Sequence, residues 1–187
     1  MSLVIAFIGI TGAVMAGDMR EITFQGDNLS EVKLENELYN GLITTDEELN
    51  ERAKELNVSI IVRDDKSKIA KQGGILIGEV SSFEEGVVQK RRLYASVNNY
   101  AITEIDGAKV ILIKKGTGSN FVVLGNTITK EIANKCIKAN WKNGNLHDAI
   151  KILILSMETA SKVTASVSKK FLLLHTTSVV ELPQVLQ

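Results

Sequence analysis

Ser2, Asp18 and Arg20 are the residues of this chain whose types and spacing could perform covalent chemistry. A penultimate serine is small enough for removal of Met1 to be the normal expectation, and Ser2 would then carry a hydroxyl and a free α-amine together. The amine, with a pKa of about 8, could take the proton of the adjacent hydroxyl, the N-terminal form of a nucleophile and base pair. A serine hydroxyl alone is too weakly acidic to attack an amide at neutral pH. A carboxylate and a guanidinium nearby would fix the geometry and favour the reactive protonation state.

The elements around these residues must bring them together. Two apolar runs, 3–8 and 13–16, flank Gly9-Ile-Thr-Gly12, a loop with glycines at both ends between β-formers. That pattern predicts a hairpin. The returning strand carries Asp18 and Arg20 back towards Ser2, and period-two alternation places both on one face. Glu21-Ile-Thr-Phe-Gln25 alternates and is expected to prolong this second strand until Gly26-Asp27-Asn28. Two other readings fit the same stretch. A secretory signal would use the apolar run with a cleavage site at Val14-Met-Ala16, although no Lys or Arg precedes the run and glycines interrupt it. An ordinary buried hairpin would leave Asp18 and Arg20 as a surface pair of little consequence.

The Ser2 opening, the Gly-Ile-Thr-Gly turn, the run Ala-Val-Met-Ala-Gly-Asp-Met-Arg and the sixteen-residue interval from Ser2 to Asp18 resemble the start of a proteasome β-subunit. More broadly the chain resembles the N-terminal-nucleophile (Ntn) hydrolases, and within them an uncharacterised archaeal proteasome-like family. The resemblance implies an α+β fold: a four-layer αββα sandwich of two mainly antiparallel sheets, with one helical layer altered. It implies an amidohydrolase or peptidase in which Ser2 attacks the carbonyl of a small-molecule amide or peptide while Asp18 and Arg20 position it. Lys33 stands one residue early for the family's assisting lysine, in a segment that reads as helix, and a solvated Lys33–Glu37 pair at i,i+4 is the alternative. Ser166, and less well Ser168, would complete the hydrogen bonds to the nucleophile. The family's neighbouring aspartate has no counterpart, since Thr164 and Ala165 stand there. A catalytically inactive binding or assembly protein that keeps the sandwich is therefore the second reading, and relatives that form rings make self-association an expectation.

Composition sets outer bounds. The 187 residues are most simply a single domain, 1–187, with a helical-hairpin insertion at 29–57. A chain of this length can bury roughly two-thirds of its unfolded surface without disulfides or metals. Lys plus Arg and Asp plus Glu are equal at 22 each, so no global field recruits nucleic acid or an anionic membrane. The lone Cys136 and two distant histidines offer no disulfide and no metal-ligand spacing. A reducing cytoplasmic compartment and no cofactor are expected, and no apolar run reaches the roughly 18 to 20 residues of a membrane span.

Along the chain, Ser30 opens a helix over 31–40 that Gly41 closes. Thr45-Asp-Glu-Glu48 is a capping box for a second helix reaching about Leu56. Strands are expected at 58–62, 74–80, 87–95, 100–105, 109–113 and 121–124, with Asp106-Gly107 as a hairpin turn. Lys90-Arg-Arg92 lies inside a strand without interleaved aromatics, which favours a solvated face over a nucleic-acid site. Lys114-Lys-Gly-Thr-Gly-Ser119 lacks the residue order of a phosphate loop. Helices at 127–141 and 146–162 should pack antiparallel, with Cys136 in the apolar stripe of the first and His147 on the surface of the second. A return strand at 171–174 follows, and residues beyond Ser178 read as a loose or edge-covering tail.

Overall fold

The computed structural model describes residues 3–84, 87–107 and 109–182. In chain order its elements are β1 (Val4–Ile8), β2 (Ala13–Asp18), β3 (Glu21–Gln25), α1 (Asn28–Tyr39), α2 (Asp46–Glu55), β4 (Ser59–Arg63), β5 (Ile69–Gln72), β6 (Ile75–Glu84), β7 (Val87–Ser96), β8 (Asn99–Asp106), β9 (Lys109–Thr117), β10 (Asn120–Leu124), α3 (Thr127–Asn140), α4 (Leu146–Val163) and β11 (Phe171–Thr176).

β1 and β2 form the expected hairpin, with Val4 opposite Gly17 and Ile8 opposite Ala13. Every residue of both strands is buried, which explains their unbroken apolar character: a strand covered on both faces needs no polar alternation. β10 adds beside β1 and β11 beside β2, completing an antiparallel sheet in the order β10-β1-β2-β11. Period two then sorts the side chains into two cores. Val4, Ala6, Ile8, Ala13 and Met15 point to the second sheet, ordered β5-β6-β7-β8-β9, and meet Leu76, Leu93 and Tyr100. Leu3, Ile5, Phe7, Val14 and Ala16 point the other way, to Ile132 and Ala133 of α3 and to Leu153, Met157 and Ala160 of α4. Phe7, Phe121 and Trp141 close that layer's far end, each pair of ring centroids 4.9 to 5.0 Å apart.

Both sheets are antiparallel and pack face to face, so the chain is an α+β sandwich. Its second helical layer is altered. α1 and α2 do not cover the second sheet; they pack on β3 and β4, where Leu34, Leu38, Leu49 and Ala53 form a separate core with Val58 and Ala165. The outer face of the second sheet is covered at one end by the C-terminal segment, through Val180 and Leu182 against Ile75, Ile77, Tyr94 and Ala101. Val180 O also accepts hydrogen bonds from Ser96 Oγ and Asn99 Nδ2, so the tail is fastened over a sheet face.

One expectation about the first hairpin is corrected. The second strand does not run on to Gln25: β2 ends at Asp18, and β3 leaves to pair with β4 in a separate two-stranded sheet. The cause is local, because Asp18 folds its carboxylate back onto the N–H of Arg20 and turns the chain. Helix α1 also starts earlier than expected, with Asp27 rather than Ser30 as the cap accepting from the N–H groups of Leu29 and Ser30. Among the described residues no helix is long and apolar enough to cross a membrane.

Candidate active site at the start of the first strand

The end of β2 lies beside the start of β1 because the hairpin register returns it there. Asp18 N–H donates to Leu3 O at 3.1 Å, and Leu3 N–H donates to Asp18 Oδ2 at 2.8 Å. Asp18 Oδ1 accepts from Arg20 N–H, also at 2.8 Å. Asp18 is fully buried, and burial pushes its carboxyl above the ordinary range, opposed by the two N–H donors and by the charge of Lys68. Ser2, joined covalently to the nitrogen that Asp18 holds, lies outside the described residues.

The turn after Asp18 is held from other directions. Met19 N–H donates to Ser168 Oγ at 2.9 Å, and Met19 O accepts from Lys66 N–H at 3.0 Å. Arg20 lies beyond the end of β2. Its guanidinium forks onto both oxygens of Asp64, at 2.8 and 2.9 Å, bonds Asp46 with its other edge, and donates to Ala165 O at 2.8 Å. Arg20 is 7% exposed. It therefore joins the end of β2 to the first residue of α2, the loop after β4 and the loop after α4, and it holds the Asp64 carboxyl below the usual range. A cleft of about 290 Å³ opens beside it, lined in part by Thr45, Asp46, Lys162 and Lys169.

The other expected residues separate. Ser166 is buried, but its hydroxyl accepts from Asn126 Nδ2 at 3.1 Å and lies 3.0 Å from Thr164 Oγ1. Since Asn126 also caps α3 through Thr129 N–H, Ser166 is tied into a helix cap. Ser168, the less favoured serine, is the one that bonds the turn next to Asp18. Lys33 is exposed on α1. Its charge acts on Glu37, whose carboxylate is taken by Arg52 at 2.6 and 2.7 Å.

Sequence reasoning missed Lys68. This residue is half-buried just before β5, its backbone carbonyl accepts from Glu79 N–H at 2.9 Å, and its Cβ would lie 3.4 Å from a methyl placed on Gly17. It stands against β2 one residue before Asp18, and it is the lysine whose charge favours the Asp18 carboxylate. The sheets close tightly here. A Cβ at Gly17 would come 2.7 Å from Ile69 Cγ2, and one at Gly78 2.7 Å from Val4 Cγ1. From α1, Tyr39 feels the charges of Glu35 and Asp18, and burial pushes the ionisation of both Tyr39 and Glu35 up. Among the described residues no group of His, Cys, Asp and Glu could hold a metal ion.

The sequence matches the family described as Connectase MJ0548-like, N-terminal domain, over residues 1–185. The chain belongs to that family. Similar solved structures include Anbu (ancestral beta-subunit) from Yersinia bercovieri, 10% identical with a TM-score of 0.43, covering 94% of this chain and 81% of that one. The helical assembly of the Anbu complex from Pseudomonas aeruginosa is 12% identical, also with a TM-score of 0.43, and covers the same shares, 94% and 81%. No curated protein matches the chain.

Proposed function

We propose that the chain is an N-terminal-nucleophile hydrolase of amide or peptide bonds, with Ser2 as nucleophile after removal of Met1. One observation carries this reading: the buried Asp18 carboxylate grips the Leu3 peptide nitrogen at 2.8 Å, which fixes the backbone from which Ser2 extends. The α-amine of Ser2 takes the hydroxyl proton as Oγ bonds to the carbonyl carbon. Collapse of the tetrahedral adduct breaks the C–N bond, the leaving amine departs with that proton, and water resolves the resulting ester.

In this reading Asp18 sets the geometry and Arg20 holds in place the three segments that surround it. Lys68 supplies the positive field that the resemblance would give to Lys33, since Lys68 is the lysine lying against β2. A cation there favours an amine that is neutral and ready to accept a proton. The family name speaks of joining, and an ester on Ser2 can be resolved by an amine as well as by water, so the assay needs both acceptors.

A non-catalytic binding or assembly role is favoured by two observations: Ser166 is spent on the Asn126 cap, and no aspartate stands at 164 or 165. Intact mass and a serine-reactive probe separate the readings. The hydrolase reading expects loss of one methionine and one adduct that Ser2→Ala abolishes. A retained Met1 with no adduct favours the scaffold.

A further inference from the structure

β9 ends the five-stranded sheet, with β8 on one side and, among the described residues, no strand on the other. Its residues Val110, Ile111, Leu112 and Ile113 are 53%, 48%, 47% and 53% exposed. Four consecutive apolar residues on this edge present their backbone and both faces, with Ile113 at a register shift between Leu112, opposite Thr103, and Lys114, opposite Ile102. Leu112 lies opposite Thr103, which pairs with Arg92, and Ile111 lies opposite Glu104, which pairs with Arg91. The apolar run therefore shows on both faces. The opposite edge of the sheet is not open in this way: Ile69 of β5 is buried, and Lys71 Nζ bonds His175 O at 3.0 Å.

Charge identifies the occupant. The basic residues inside the sheet are matched across the ladder, Arg91 with Glu104 at 3.2 Å and Arg92 with Glu79 at 2.6 Å. Lys114 and Lys115 are exposed and stand opposite Ile102 and Ala101, and among the described residues they make no ion pair. The edge thus offers an uninterrupted apolar run followed by two cations without carboxylates. Lys109 before the run and Lys114 and Lys115 after it deter pairing with another basic edge, and they leave the apolar run itself unbroken. A second copy of β9 would bring further lysines to the same edge. Nucleic acid would find no aromatic residue on β9 to stack upon.

We infer that β9 is a docking edge for an extended, acidic segment of a partner protein, which adds to the sheet as a sixth strand with its apolar side chains along 110–113 and its carboxylates opposite Lys114 and Lys115. Backbone pairing supplies affinity and the charges set partner and register.

The test uses fluorescence anisotropy with the whole chain and a labelled peptide, Glu-Glu-Val-Val-Ile-Val-Thr, which antiparallel pairing lays with its acids beside the two lysines. Expected results are binding about tenfold tighter than for the Lys-Lys counterpart, equivalent to about 1.4 kcal/mol, and weakening between about 50 and about 300 mM salt. The double variant Lys114→Glu/Lys115→Glu should reverse the preference, and Leu112→Asp should abolish binding while thermal melts show both variants folded. Equal affinity for the acidic and basic peptides, undiminished binding in Leu112→Asp, or binding of a peptide with alternate prolines would overturn the inference. So would a dimer in sedimentation that Leu112→Asp dissolves, because β9 would then be occupied by a second copy.

Discussion

The Asp18 carboxylate accepts the Leu3 peptide N–H at 2.8 Å while Asp18 N–H donates to Leu3 O at 3.1 Å. This reciprocal pair fixes the start of β1 with a group that is fully buried, and it places a titratable carboxyl one peptide bond from Ser2. Asp18→Asn keeps the shape but can offer an oxygen to only one of the two N–H donors, since its amide NH2 faces the other. The expected loss is about 1–3 kcal/mol in urea unfolding near neutral pH, together with a lower rate of serine-probe labelling.

The pH dependence of stability separates two carboxyls of opposite sign. Burial raises the folded pKa of Asp18, so its contribution is present in acid and is lost as pH rises from about 4 through the folded value. The wild type should lose stability relative to Asp18→Asn over that rise. Arg20 lowers the pKa of Asp64, so that contribution is present above about pH 4 and is lost as pH falls through the depressed value. Asp64→Asn should flatten the acid limb. Unfolding curves over the two ranges check both signs.

Arg20 binds two carboxylates and a carbonyl from three separate segments. Arg20→Ala should cost about 2–4 kcal/mol, and Arg20→Lys nearly as much, because an ammonium cannot reproduce the fork. A double-mutant cycle with Asp64 measures the coupling, and a coupling near zero would contradict the assigned geometry.

Gly17 and Gly78 let the two sheets meet at the site end. Gly78→Ala places a Cβ 2.7 Å from Val4 Cγ1 and 2.8 Å from Met15 Sδ. Overpacking of this kind should destabilise by about 1–3 kcal/mol, and displacement of β1 should slow Ser2 labelling beyond what stability alone explains. Calorimetry and labelling on the same sample give the comparison.

Lys68 and Lys33 make a paired test. Lys68→Met should slow labelling by about tenfold and displace its pH profile upward, as loss of a nearby positive charge leaves the amine protonated to higher pH. Lys33→Met should leave rate and profile unchanged, because Lys33 is exposed on α1. Equal effects from the two would remove the role given to Lys68.

Local chemistry made much of this fold legible. The Gly9 to Gly12 turn and the unbroken apolar runs announced the central hairpin, and Thr45 with Glu48 announced α2 through a capping box that is formed. β5 was missed because its four residues bury only Ile69. The departure of β3 was hidden because alternation continues through 18–25, whereas the break comes from a side chain bonding its own backbone two residues on. Spacing favoured Ser166 over Ser168, and it carried no sign that Asn126, forty residues away, takes the Ser166 hydroxyl while Ser168 bonds the turn at Met19. Lys68 left no signal near Asp18, because sheet packing alone brings the two segments together.

Intact mass spectrometry of protein from its native host, before and after a serine-reactive acylating probe, tests the central claim most directly. The account predicts a chain lacking Met1 that gains one adduct, localised to Ser2 and absent from Ser2→Ala. A chain that keeps Met1, or an adduct that survives Ser2→Ala, would contradict it.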